Sequence, residues 1–383
     1  MKPLSRRLEL GVLTGAKVAA NASLRWVSPF LPTLERAFAA TTGTMTGIMG
    51  VAELGGLSTL VTGRSLDHGH ERRVFQAGML ALALSSMIAL HGSVTTFAIS
   101  YAVLVMGVNN FTIAGHAWIG HRVPFQNRNR AIGFFETAWA ISLLVGAPLL
   151  ALLIRWFGWR GPYVALAIAC VVSAVVIRVT ITSSAPADIP TAPIRPVKLP
   201  RSAWPPMLAS AATAATGLGI FVVSGTWLDD AHGVSTAGLG LIAAGFGAVE
   251  LISSFAVALI ADRVGARRSV AIGLLLVGIG VATMFASRDS TVLAVLGLLF
   301  FLAGFEYGFV SSLSLVTEAA PAARGRAIGV SNAVGTIARA STVVASGQLY
   351  ERFGLTGSLL MVSSTATVAL IMLALIRSEH VAR

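Results

Sequence analysis

Seven charged side chains stand inside otherwise apolar stretches of this chain: Lys17, Arg25, Glu53, Glu136, Glu250, Glu306 and Arg339. A charge at the middle of a lipid-facing helix costs about 2.5–3.5 kcal/mol, so the set would cost on the order of 10–20 kcal/mol. Such residues must face water inside a bundle or pair with one another. Carboxylates taken out of water can exchange protons, and buried cations can hold a polar or anionic solute. Counting about 1.5 Å per residue from the cytoplasmic end puts Lys17, Glu53, Glu250, Glu306 and Arg339 near mid-membrane. The same count puts Arg25 further out and Glu136 near the inner mouth. Lys17 is expected to pair with Glu53 and Glu306 with Arg339, each on consecutive helices, which leaves Glu250 with no sequential partner. Glu250 is therefore the first candidate for proton exchange, ahead of Glu53 and Glu306. Lys17, Asn21, Arg25, Asn110, Glu306 and Arg339 are the candidate solute contacts.

Helical spacing brings these groups onto faces. Thr14, Lys17, Asn21, Arg25 and Ser28 recur at steps of three or four, as do Asn332, Thr336, Arg339, Thr342 and Ser346. Tyr101, Asn109, Thr112 and His116 form a third polar stripe. The elements carrying them are membrane spans: 55% of the 383 residues are hydrophobic and only 11% charged, less than half the charge of a soluble domain. Twelve stretches are long enough to cross a bilayer: 9–31, 43–62, 74–92, 95–119, 131–156, 161–180, 205–228, 236–260, 269–287, 291–317, 327–350 and 355–377. The expected fold is an all-α membrane protein of two pseudo-symmetric six-helix bundles, 1–182 and 205–383, joined by a proline-rich cytoplasmic linker at 183–204. Twenty of the 28 lysines and arginines fall on the side of the termini and five on the other. This places both ends in the cytoplasm of a cell with an inner membrane. The net charge of +12 thus reads as topology rather than nucleic-acid binding. The first apolar stretch is an uncleaved span, since Lys17 interrupts it and many spans follow.

The two halves echo each other. Asp67 through Arg72-Arg73 returns 195 residues later as Asp262 through Arg267-Arg268, and Arg130-Ala-Ile-Gly133 returns as Arg326-Ala-Ile-Gly329. Phe157-Gly158 returns as Phe353-Gly354, and Gly161 as Gly357. Duplicated membrane units are the usual build of secondary transporters. The loop Gly63-Arg-Ser-Leu-Asp67 followed by Arg72-Arg73, with its second copy Asp262-Arg263-Val-Gly265-Ala-Arg267-Arg268, resembles the signature loop of the major facilitator superfamily. The second copy has Ala258 in place of the leading glycine. The first has His68 and His70 at the usual arginine and glycine, with its glycine displaced to Gly69. The resemblance covers the whole chain. It implies that Gly63, Asp67, Arg72, Arg73, Asp262, Arg263, Gly265, Arg267 and Arg268 form a cytoplasmic gate, and that helices one, four, seven and ten line a central path. Gly146-Ala-Pro148 resembles part of a helix-five motif of the superfamily's antiporters.

The reading is a secondary transporter working by alternating access, coupled to protons, for a small solute, leaning to efflux of amphiphilic compounds. Uptake of a small organic or phosphorylated anion is the alternative, suggested by Lys17 and Arg25. A non-transporting sensor or an intramembrane enzyme is remote: the histidines His91, His116 and His121 share no face at metal spacing. No phosphate-binding loop appears either. No cofactor, metal or nucleic acid is expected, the lone Cys170 rules out an internal disulfide, and the expected partners are solute, protons and lipid around a monomer.

Overall fold

Long apolar runs broken by short basic or glycine-containing loops give helices throughout. The computed structural model describes residues 6–181, 199–287, 289–320 and 324–376, and among them there is no strand. We number the long helices α1 Arg6–Arg25, α2 Thr42–Asp67, α3 Glu71–Ala89 and α4 Val94–Arg122. There follow α5 Gln126–Phe157, α6 Arg160–Thr180, α7 Arg201–His232 and α8 Thr236–Ala261. The last four are α9 Ala266–Ala286, α10 Thr291–Ala319, α11 Arg324–Phe353 and α12 Leu355–Ala374. Among the described residues nine of them are long and apolar enough to cross a membrane. The other three, α1, α3 and α11, carry too many charges or too short an apolar run to meet that measure.

Three expectations on boundaries change. The first helix stops at Arg25 rather than 31 and resumes as a short helix, Leu31–Phe38, with a proline in its first turn, where the missing N–H costs nothing. Helix five starts at 126, not 131. Of the linker expected at 183–204, residues up to 198 lie outside the described residues, while Arg201–Ala203 already form a helical turn.

The chain divides into two compact units. The first holds Met1–Ala40, Val51–Pro193 and Ser235–Gly247; the second holds Thr41–Gly50, Ile194–Val234 and Ala248–Arg383. The start of α2 thus belongs with the second unit and the start of α8 with the first. Inside the first unit α1 packs on α5 and α6, and α3 on α4 and α6. Inside the second, α9 lies along α10 and α7 against α11 and α12. Small residues set these contacts. A β-carbon at Gly273 would lie 2.6 Å from the Gly304 carbonyl oxygen, so α9 and α10 approach at backbone distance, the usual device of membrane helices without a hydrophobic drive between them.

The repeat seen in the sequence is also a repeat of backbone geometry. Gly158 ends α5 at φ 63°, ψ −166°, and Gly354 ends α11 at φ 60°, ψ −153°. Only glycine enters that region without strain, so each half turns its fifth helix into its sixth by the same means.

Candidate functional site

The polar stripe that runs along α1 and into the turn after it is buried. Thr14, Lys17, Asn21, Arg25 and Ser28 are each at most 6% exposed. Lys17, at 1%, is among the largest fully buried side chains of the protein. Its Nζ lies 2.6 Å from Oε1 of Glu136 on α5 and 4.1 Å from the centre of the Phe135 ring. His116 of α4 brings Nε2 to 2.7 Å from that same carboxylate oxygen. Phe135 can lie there because Gly115 leaves room for its ring. The Lys17 side chain is 2% exposed, but those of Glu136 and His116 are 42% and 45% exposed. A buried lysine, a shared carboxylate and an exposed imidazole therefore form one cluster.

This corrects one expectation: Lys17 pairs with Glu136, not with Glu53. Counted from Gln126, Glu136 sits about 15 Å into its helix and Lys17, counted from Arg6, about 16 Å into its own, so the two charges share a level.

Arg25 is held as firmly. Its Nη1 donates to the carbonyl of Trp139 at 2.7 Å, and its guanidinium lies 4.1 Å from the Trp139 ring centre. Asn21, between the two cations and 1% exposed, has neither amide atom in a hydrogen bond among the described residues. Such buried orphans normally take a water or a ligand. Asn110, expected to touch solute, donates to the Ser58 hydroxyl at 2.8 Å and to the Met106 carbonyl at 2.8 Å. Ser58 closes a 3₁₀ stretch of α2, Leu54–Ser58, that begins just after Glu53.

In the second unit Glu306, 8% exposed, accepts a hydrogen bond from Ser254 at 3.0 Å. Arg339 donates to Thr336 of its own helix at 3.2 Å. Glu250 is 2% exposed and is not without a partner. The expectation that it stands alone, which ranked it first for proton exchange, is withdrawn.

The two signature loops both turn on a glycine of positive φ, Gly69 at 73° and Gly265 at 88°. Asp67, Arg73, Arg263, Arg267 and Arg268 are exposed, whereas Gly63 and Arg72 are half-buried. Arg72 reaches the Ile181 carbonyl at 3.3 Å. The Asp262 side chain lies outside the described residues. Among the described residues the buried charged member of the first loop is one that the motif does not include: Glu71, 0% exposed. Its Oε1 is 2.5 Å from His121 Nδ1 and 3.1 Å from Arg122 Nη1, and its Oε2 accepts from Arg122 Nη2 at 3.3 Å. Glu71 precedes the apolar run of its helix. Burial alone would push its carboxyl up, but the hydrogen bonds from His121, Arg122 and its own amide outweigh that and hold it below the usual carboxylate range. The loop is thus anchored to the end of α4 by an acid, where the sequence drew attention to its bases. Among the described residues no group of three or more His, Cys, Asp or Glu could hold a metal ion.

Comparison with known proteins agrees with this architecture. The family described as Major Facilitator Superfamily matches residues 13–225 and again 207–383. An uncharacterized MFS-type transporter, YwfA, of Bacillus subtilis (strain 168) is 26% identical over 156 residues, 39% of this chain and 37% of that protein. The chain therefore aligns with little more than a third of that relative's length. Among solved structures, a bacterial homolog of the human lysosomal transporter Spinster, inward-facing and unoccupied, superimposes with a TM-score of 0.80 at 14% identity. The match covers 98% of this chain and 96% of that one. A D-xylose-proton symporter gives 0.72 at 16% identity over 96% and 97%. At such identities these two likenesses concern the fold.

Proposed function

Because the chain belongs to the Major Facilitator Superfamily, we propose that this multi-pass membrane protein is a secondary transporter. It works by alternating access and is driven by protons through the Lys17–Glu136–His116 cluster. One observation carries the reading. The cluster joins a lysine buried in the interior to a carboxylate and an imidazole that are each more than two-fifths exposed. With the ring neutral, the charges of Lys17 and Glu136 cancel. With a proton added to the ring, the cluster carries one net positive charge. Moving that charge between dry and wet surroundings costs several kcal/mol, which is the kind of differential term that shifts a two-state carrier.

The same geometry supports efflux of an amphiphilic, cationic or neutral compound over uptake of an anion. Lys17 is engaged by Glu136 and Arg25 by Trp139, so the two basic groups that argued for an anion are already occupied. Glu136 remains open to solvent. A cationic solute and the His116 proton would compete for it, which is the logic of exchange. Among the earlier candidates, Glu250, Glu53 and Glu306 become secondary proton sites. Asn21, Asn110, Glu306 and Arg339 stay as solute contacts, and the loop residues as a cytoplasmic gate. Both termini are assigned to the cytoplasmic side of the inner membrane from the distribution of basic residues.

The test is flux in vesicles with an imposed proton gradient, screened over a panel of amphiphilic cations, neutral amphiphiles and organic anions. The reading expects gradient-driven movement of at least one cation or neutral compound, collapsed by Glu136→Gln. Movement of organic anions alone, or gradient-driven flux untouched by that substitution, would contradict it.

A further inference from the structure

By the 195-residue repeat, the start of α8 is the counterpart of the start of α2, and each is seated in the unit that does not hold the rest of its helix. The two seats differ in chemistry. Within the first unit, the start of α8 lies on α5 by bare contact. A β-carbon at Gly240 would stand 2.7 Å from the Ala151 side chain, and one at Gly247 2.6 Å from the Ala140 carbonyl oxygen. Within the second unit, the start of α2 also packs closely on α11, with Gly50 against Ala340 and Val344 and Thr46 against Gly347. It adds a polar clamp. Glu351 Oε1 accepts from the Gly43 amide at 2.8 Å, and Gln348 Nε2 donates to the Gly43 carbonyl at 3.1 Å.

We propose that Glu351 and Gln348 form a latch on the non-cytoplasmic end of α2, setting how readily that end parts from α11. Gly43 lies in the first turn of a helix that starts at Thr42, where amides lack partners and the helix end is positive. A carboxylate suits that position. Glu351 is exposed while Gly43 is buried, so water can replace the carboxylate when the latch opens. Such hydrogen bonds are strong enough to bias a state and weak enough to release. The contact of α8 with α5 has no comparable polar element among these residues, so the bias sits on one side of the duplicated fold. The inference rests on the carrier reading, and its test separates the two.

Thr46 is fully buried in this seat. A Thr46→Cys thiol, in a Cys170→Ser background, should react with a membrane-impermeant maleimide applied from outside only when α2 and α11 part. Glu351→Ala should raise the labelling rate about three- to tenfold, the weight of one such hydrogen bond. Gln348→Ala should raise it less, and Glu351→Gln, which keeps an acceptor oxygen, should stay near the parent rate. A control thiol, Ser86→Cys, buried inside the first unit, should not change; a parallel rise there would mean general loosening and would overturn the latch. Equal labelling of Thr46→Cys in parent, Glu351→Ala and Gln348→Ala would overturn the latch alone. No labelling in any variant would overturn the carrier reading as well.

Discussion

The two units handle polarity in their interiors differently. In the first, ionic contacts cross between helices: Lys17 to Glu136 to His116, and Glu71 to His121 and Arg122. In the second, much of the cross-helix bonding runs through hydroxyls, with Ser210 to Ser312 at 2.8 Å, Thr216 to Thr365 at 3.0 Å and Ser254 to Glu306 at 3.0 Å. Duplication kept the backbone devices, as the matching angles of Gly158 and Gly354 show, and let the side-chain chemistry part. Serine and threonine do not change charge between pH 5 and 8. The proposed proton cluster lies in the first unit, while in the second Glu306 sets a carboxylate among the hydroxyls.

Breaking the ionic cluster should have the largest effect. Glu136→Gln leaves the Lys17 ammonium buried without its counter-charge and should lower stability by about 3 kcal/mol, read as a fall in the unfolding midpoint of the purified protein. Adding Lys17→Met should restore most of that stability but none of the proton coupling. If the double variant is no more stable than Glu136→Gln, the burial argument fails. Next comes Arg25→Ala, which removes a charged hydrogen bond and the stacking on Trp139. Its expected cost is about 2 kcal/mol, measured the same way.

A smaller effect should appear at Glu71, and it should depend on pH. Its carboxyl is held below the usual range in the folded protein. The stabilisation is therefore fully present above the unfolded carboxylate pKa of about 4.3 and is lost as pH falls through the lower folded value. Glu71→Gln should destabilise at pH 7 and flatten the acid limb of the stability profile. A parallel profile would show that the cluster does not titrate as described. Smallest of all, Ser210→Ala in the second unit should cost about 1 kcal/mol with no pH dependence. A pH-dependent loss there would erase the contrast between the units.

Much of the fold could be read from the sequence because its signals are local. Apolar length marked the helices, and the glycines at 158 and 354 marked equivalent turns. The polar face of α1 was legible from spacing alone. Its partner was not, since the pairing of α1 with α5 is tertiary and sequential helices offered Glu53 first. Glu71 was passed over because a carboxylate beside two arginines in a basic loop suggests a solvated charge. Its burial depends on His121 and Arg122, 50 and 51 residues away.

The most direct test of the central claim is the count of protons moved per solute in lightly buffered proteoliposomes. It compares the parent protein with Glu136→Gln and His116→Gln, with solute exchange at equal pH as the check that each variant still carries. The account predicts that the parent moves protons with solute, and that both variants retain exchange of a neutral compound while proton movement vanishes. Parent-level proton movement in Glu136→Gln, with solute flux intact, would contradict it.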